Sequence, residues 1–408
     1  MTDNTPFHST PFDSTPFHST VEEHAARIAL LLSPVLARRA AESVALDDAL
    51  GRVTASDVVS PVDLPLFRNS QMDGFAVATA DLTEGVELEI SQDIPARPIA
   101  PPPLSPGTAA RIMTGAVVPE GADAVVPVED TSVSGTRVII DRVRRAGEFV
   151  RERGSDVLAG QLLLPAGVRL GSRHLAALAA AGLTSVEVLT PVRVGIITTG
   201  SELVLPGAHP EPGQVFDSNA TALAAAVRSV GAVVSARTHV ADDVAAMTAA
   251  LRGMDADVIV TSGGISMGDY EVVRETLEPL GARVGHVAMQ PGGPQATAMF
   301  DGTPVICFPG NPVSTQVSFE VFLAPLLRQA AALPPARRET RALSTTTTSP
   351  AGKRQFLRGR ATGDRAVDLV SGASSHLVAG LAAATVLVVV PEDVTVLHEG
   401  DDVETWAL

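Results

Sequence analysis

The sequence predicts a multidomain α/β plus β protein, and three observations carry that prediction. Residues 191–330 alternate apolar β-branched runs with helix-like segments, the pattern of a mostly parallel sheet joined by right-handed crossovers. Residues 60–156 show short alternating runs broken by proline and glycine, including Pro98 and Pro101-Pro102-Pro103, which reads as a separate β-rich domain. After Pro334-Pro335 the pattern returns to short strands, with a late run over 385–390, so a small β domain closes the chain.

Each element has its own local reason. Residues 5–19 repeat a five-residue unit, Thr5-Pro6-Phe7-His8-Ser9 followed by two near copies, and a proline in every unit predicts an irregular tail over 1–20. His8 and His18 in that tract could bind a metal, but plain disorder is the favoured expectation. Val21, Ala25, Ile28 and Leu32 share one face of a helix over 21–32. A second helix is expected over 172–181, capped by Ser172 and stopped by Gly182. In the α/β region the strands are expected at 192–198, 233–240, 258–261 and 305–308. The helices are expected at 220–230, 244–252, 271–278 and 313–329, the last kinked at Pro325.

Composition narrows the classes of function. A net charge of −16 over 408 residues disfavours a broad nucleic-acid surface or an anionic-membrane surface. Cys307 is the single cysteine, which excludes an internal disulfide and a multi-cysteine zinc site and fits a reducing, cytoplasmic location. No run reaches the roughly 18 uninterrupted apolar residues of a membrane span. Lys353 is the only lysine.

The chemistry gathers at strand ends. Ser262-Gly263-Gly264, Thr199-Gly200-Ser201-Glu202 and Pro309-Gly310-Asn311-Pro312 each follow an apolar strand. On an open sheet such turns converge on one edge, where ligands bind and free backbone N–H groups suit an anion. Acids recur at turns: Asp73, Asp156, Glu202, Asp242 and Asp269. Turn formation and helix capping account for such acids in general, and Asp242 sits where it could cap the helix that follows. Glu202 and Asp269 are favoured instead as hard oxygen ligands for Mg²⁺. Neither a Gly-x-x-x-x-Gly-Lys-Ser/Thr loop nor a His-Glu-x-x-His helix is present. Gly264-Ile265-Ser266-Met267-Gly268 matches a nucleophile-elbow pattern, but two further positions separate it from the strand, which disfavours Ser266 as a nucleophile. His174, His239 and His286 are scattered and are expected to be core or surface residues.

Asn69-Ser70-Gln71-Met72-Asp73-Gly74, Arg111-Ile112-Met113-Thr114-Gly115, Thr199 to Leu203, Ser262 to Tyr270 and Pro309 to Ser314, in that order, closely resemble the MoeA family, which includes the gephyrin E domain. The resemblance runs from about residue 21 to the C-terminus. It implies a central three-layer, MogA-like α/β domain, an extended mixed domain over 21–59 with 157–190, and a β-barrel-like C-terminal domain. It also implies a Mg²⁺-dependent molybdopterin molybdenumtransferase that takes adenylylated molybdopterin and molybdate, inserts the metal and releases AMP. Such enzymes form homodimers, with an upstream molybdopterin adenylyltransferase and downstream molybdoenzymes as partners; no nucleic acid or membrane partner is expected.

Carried onto this chain, the family's acids are Asp73, Asp156, Glu202, Asp242 and Asp269, with Glu202 and Asp269 on the metal. Pterin, nucleotide and oxyanion positions fall on Thr114, Thr199, Gly200, Ser262, Gly263, Gly264, Gly310, Asn311, Pro312, Arg358 and Ser375, with Ser374 beside the last. One departure stands out: the family's Lys-Pro-Gly-x-Pro segment, often with a second lysine three residues on, reads Gln290-Pro291-Gly292-Gly293-Pro294 here. A carrier or scaffold that binds molybdopterin without turnover is the alternative this departure leaves open.

Overall fold

The computed structural model describes residues 17–265 and 271–408 and resolves two compact units, one of residues 42–188 and one of the remainder. Asp269 and Ser266 lie outside the described residues.

The larger unit is built on a seven-stranded sheet. Its strand order is Phe17–Ser19, Arg283–Val287, Pro294–Phe300, Thr303–Phe308, Val258–Ser262, Arg193–Thr199 and Val233–Val240. Side chains alternate across it: Val258 and Val260 enter one core with Leu223, Val227, Val313 and Ile28, while Ile259 enters the other with Met247, Leu251, Val273 and Leu277. A sheet with helices on both faces must be apolar on both, which is why these strands read as unbroken hydrophobic runs. The expected three-layer, mostly parallel domain therefore forms.

Sequence reasoning missed the antiparallel part. Arg283–Val287 pairs antiparallel with Pro294–Phe300, and that strand pairs antiparallel with Thr303–Phe308. Gly285, Gly292, Gly293 and Pro294 interrupt the alternation that would have marked those strands. The tail also differs from expectation at its end. Phe17–Ser19, the close of the third repeat, is a strand parallel to Arg283–Val287. Gly285 makes room for it, since a Cβ there would stand 2.3 Å from the Phe17 carbonyl oxygen.

The first helix runs from Val21 to Ala37, past the expected end at Leu32 and through Pro34. Pro34 has no N–H for the Leu30 carbonyl, and the Ser33 hydroxyl donates to that oxygen instead at 3.0 Å. At its start Thr20 and Glu23 form a reciprocal capping box. The helix of Ser172–Ala180 is capped by Gly171 rather than Ser172; the Gly171 N–H donates to His174 Nδ1 at 3.0 Å. Near Pro325 the long helix breaks into Pro312–Ser318, a π-turn over Phe319–Leu323 and Ala324–Ala330. The π-turn absorbs the carbonyl that the proline ring would otherwise strike.

The same unit ends in a closed barrel. Arg354–Thr362, Ala366–Leu369, Arg338–Leu343, Asp402–Ala407 and Val386–Val390 pair in turn, and the last returns to the first. Phe356, Leu387 and Val389 join the core that covers one face of the seven-stranded sheet. The smaller unit holds a six-stranded sheet in the order Thr131–Ser134, Arg137–Ile140, Glu87–Ile94, Thr108–Ile112, Gly74–Val77 and Ala124–Pro127. Among the described residues no helix is long and apolar enough to cross a membrane.

Cys307 and His24 are sealed in the larger unit. Burial pushes the Cys307 thiol up to about 12. His24 is buried between Phe17, stacked at 5.6 Å, and Phe322, edge-on at 4.8 Å, and neither ring nitrogen has a partner. Burial, aided by Arg27, holds its pKa down to about 3. Between that value and the unfolded 6.5 the unfolded chain binds a proton that the folded chain refuses. Stability contributed by neutral His24 is thus complete above 6.5 and declines on acidification, by about 1.4 kcal/mol per pH unit. His24→Leu is expected to flatten this dependence, read as urea midpoints at about pH 5 and about pH 7; an unchanged slope would refute it.

Candidate functional site

Three parallel strands end side by side, Thr303–Phe308, Val258–Ser262 and Arg193–Thr199, and the turns after them pack backbone against backbone. Gly263 has φ of 101° and donates its N–H to the Phe308 carbonyl at 3.1 Å. A Cβ on Gly263 would stand 2.6 Å from the Thr199 carbonyl oxygen, and one on Gly310 would stand 3.2 Å from the Gly263 Cα. Glycine is required here because two turns occupy space that a single methyl group would fill.

A buried polar network pins the turns. Asn219 Nδ2 donates to Ser262 Oγ at 2.9 Å and to the Gly310 carbonyl at 2.7 Å. Ser262 Oγ and Thr315 Oγ1 share a hydrogen bond of 3.0 Å, and Thr315 Oγ1 donates to the Pro309 carbonyl at 2.6 Å. Ser262, expected as a ligand contact, therefore spends its hydroxyl on holding the loops.

These turns open into a cavity of about 980 Å³, also lined by Gln290-Pro291-Gly292 and by the loop Ala373 to His376 of the barrel region. Thr199, Gly200, Glu202, Asp242, Ser262, Gly263, Gly264, Gly310, Asn311, Pro312 and Ser375 all lie on its wall, so most of the expected site residues converge. Val313 N–H, in the first turn of the helix starting at Pro312, donates to the Ser375 carbonyl at 3.0 Å and fixes the barrel loop against that helix. Among the described residues, two buried polar atoms of the lining, Thr199 Oγ1 and Asn219 Oδ1, have no protein partner.

The wall carries four carboxylates, Glu202, Asp217, Asp242 and Glu271, and among the described lining residues no lysine or arginine. An anionic ligand here would rely on backbone N–H groups or on a divalent cation rather than on side-chain cations. Of the two readings open for Asp242, the cap falls to its neighbour: Asp243 caps the helix Val244–Gly253 by accepting from the Ala246 N–H at 2.7 Å. Asp242 instead accepts from the Ser201 N–H at 2.9 Å, beside Glu202. Sequence reasoning missed Asp217, which accepts from Thr198 Oγ1 at 2.6 Å and from the Ala220 N–H at 3.0 Å. The signal was available in Asp217-Ser218-Asn219, a capping run just ahead of a helix.

Asp73, Thr114 and Asp156 belong to the smaller unit. Asp73 Oδ1 accepts from the Thr114 N–H at 2.6 Å and its hydroxyl at 2.8 Å, and these bonds hold its carboxyl below the usual range. The Asp156 N–H donates to the Leu64 carbonyl at 2.9 Å.

Arg358 is not a surface strand residue. It is 2 % exposed, its Nε donates to Ser371 Oγ at 3.2 Å, and its Nη2 has no partner. It is not among the residues that line the cavity. Burial lowers its pKa, the mark of a cation without a counter-charge. Gln290 Oε1 accepts from Gln355 Nε2 at 2.6 Å, while a Cβ on Gly293 would stand 2.4 Å from the His286 ring. The second family lysine therefore has no room at 293 unless His286 moves.

Fold and cavity define a multidomain α/β protein with a polar ligand cavity at the carboxyl edge of its sheet. Residues 19–182 match the model of the MoeA N-terminal region, domains I and II; residues 195–329 match a probable molybdopterin binding domain; residues 340–408 match the MoeA C-terminal region, domain IV. The chain belongs to the MoeA family. It is 43% identical over 383 residues to molybdopterin molybdenumtransferase 2 of Mycobacterium tuberculosis, covering 90% of this chain and 95% of that one. It is 35% identical over 422 residues to molybdopterin molybdenumtransferase 1 of the same organism, covering 94% and 98%. A solved MoeA protein from Pyrococcus superposes with a TM-score of 0.79 at 31% identity, covering 93% of this chain and 98% of that one.

Proposed function

We propose that this chain is a molybdopterin molybdenumtransferase of molybdenum cofactor biosynthesis, which transfers molybdenum from molybdate to adenylylated molybdopterin and releases AMP with Mg²⁺ as cofactor. Membership of the MoeA family and the curated relatives support the transferase reading. The observation that carries the rest is the cavity itself, which glycine turns and four carboxylates line with no lysine or arginine among the described lining residues.

Mg²⁺ takes one or two carboxylates together with phosphate oxygens and water, and the donor set present fits it. No cluster of three metal-binding side chains occurs among the described residues, so substrate oxygens and water would have to supply the remaining ligands. Glu202 would hold the ion, with Asp242 beside it and Asp269 added by the resemblance. When bound, the ion supplies positive charge against the phosphoanhydride and the departing AMP. The chain's own part is positioning. The backbone around Gly263, Gly264 and Gly310 receives the phosphates, and Thr199 Oγ1 and Asn219 Oδ1 offer polar contacts not yet spent on the protein. Ser374 and Ser375 close the barrel side, and the resemblance assigns the oxyanion to Arg358, which is buried in the barrel outside the cavity lining. The resemblance extends this reading to a homodimer and to the finer domain division, and counts Asp73, Thr114 and Asp156 among the family's site residues.

The tied Gln290 amide and the filled space at Gly293 favour one second reading, a molybdopterin-binding carrier or scaffold. Incubation with adenylylated molybdopterin, Mg²⁺ and molybdate, followed by AMP release and cofactor formation, separates the two. Both products are expected in step; tight binding without AMP would establish the carrier.

A further inference from the structure

We propose that His18, His286 and Lys353 form a second oxyanion site, one that binds a tetrahedral dianion of the molybdate, phosphate and sulfate class. A separate cavity of about 430 Å³ is lined by these three residues with Ser19, Ala288 and Gly352. It shares no lining residue with the larger cavity.

The strand register builds the site. Phe17–Ser19 lies parallel to Arg283–Val287 with His18 opposite His286, and the two imidazoles stand 6.3 Å apart at 46°. The Ala288 N–H donates to the Ser19 carbonyl, and the Arg354 N–H to the Ala288 carbonyl, which brings Lys353 to the same place. Phe17 anchors the strand in the core with Arg27 over its ring at 4.4 Å.

Two observations point to an anion. First, Lys353, His18 and His286 gather with no carboxylate among the lining residues, and none of the three has an ion pair among the described residues. The nearest candidate counter-charges are engaged, since Glu22 and Glu392 both pair with Arg354. Lys353 and His18 each add to the burial that depresses His286, as mutually repelling cations do when no anion sits between them. Second, the donors are of the right kind. An ammonium has three N–H groups and no lone pair, so it opposes a metal ion and suits an oxyanion, as does an imidazole N–H. In a chain of net charge −16, such a cluster is a local exception.

The test reads the site itself, independently of turnover. In the full-length protein labelled at histidine, the Cε1–H signals of His18 and His286, assigned from the spectra of His18→Gln and His286→Gln, are followed on adding sodium molybdate, phosphate or sulfate at constant ionic strength. Saturable movement of both signals is expected. Lys353→Ala is expected to weaken apparent affinity about tenfold, equivalent to about 1.4 kcal/mol, whereas Ser19→Ala, which removes a hydroxyl on the other face of the strand, leaves the titration unchanged. Movement with molybdate alone assigns the site to the metal oxyanion; equal movement with all three assigns it to tetrahedral oxyanions in general. No movement, or the same movement with chloride, overturns the proposal. Should Lys353→Ala fail to fold, the titration of the unaltered protein still decides.

Discussion

Gly263→Ala is expected to lower AMP release by about a hundredfold or more, because misplacing a positioning loop by about 1 Å costs that much. The new Cβ would meet the Thr199 carbonyl oxygen at 2.6 Å and Thr199 Oγ1 at 2.7 Å. The first of these is backbone inside a central parallel strand, held on both sides by neighbouring strands, so the loop and not the strand must give way. The loop cannot yield quietly either, since Gly310 packs on the Gly263 Cα from the other side. Positive φ adds strain of order 1–3 kcal/mol for a residue with a Cβ. Gly302→Ala is the control: it shares a positive φ of 85°, has nothing within 4 Å of its Cβ position, and does not line the cavity. Both variants should lose thermal stability by calorimetry, but only Gly263→Ala should lose activity. Equal activity in the two would remove the glycine turn from the site.

The second large effect concerns the adjacent acids. Asp242→Asn keeps an oxygen for the Ser201 N–H and leaves the helix cap untouched, so its stability should stay near that of the unaltered chain. Turnover should fall by about 10²–10³, the range for removing one charge-stabilising group from a reacting site. Asp243→Ala should do the reverse. It removes the side-chain bond to the Ala246 N–H and costs about 1 kcal/mol of stability while sparing turnover. Urea melts and AMP release on the two variants give a crossed pattern if the geometry governs; the opposite cross, or loss of turnover in both, would dissolve the distinction between neighbours.

Much of the fold was legible because burial on both faces of a parallel sheet leaves an unmistakable trace. Runs such as Val258-Ile259-Val260 and Val305-Ile306-Cys307 are apolar at every position because each side chain enters one core or the other. The antiparallel strands around Gly285 and Gly293 were not legible. Their glycines serve close approach, to Phe17 in one case and to His286 in the other, and close approach is a relation between distant residues. For the same reason the last repeat unit read as tail: only the empty sheet edge beside Arg283–Val287 turns Phe17–Ser19 into a strand.

At the site, residue types and order were enough to select the turns at Gly200, Gly263 and Gly310, the acids Glu202 and Asp242, and the family to which they belong. These are local facts, set by the need for small residues and free carboxylates where a strand meets a loop. Only the tertiary structure decided the division of labour among them. It made Asp243 the cap and left Asp242 to the cavity, spent the Ser262 hydroxyl on Asn219 and Thr315, brought Asp217 to the wall, and buried Arg358 without a counter-charge. A sequence specifies which groups are available, whereas hydrogen-bond satisfaction and charge pairing depend on which groups meet across the chain, 41 positions apart for Asp242 and Ser201 and 53 for Ser262 and Thr315, and packing sets that.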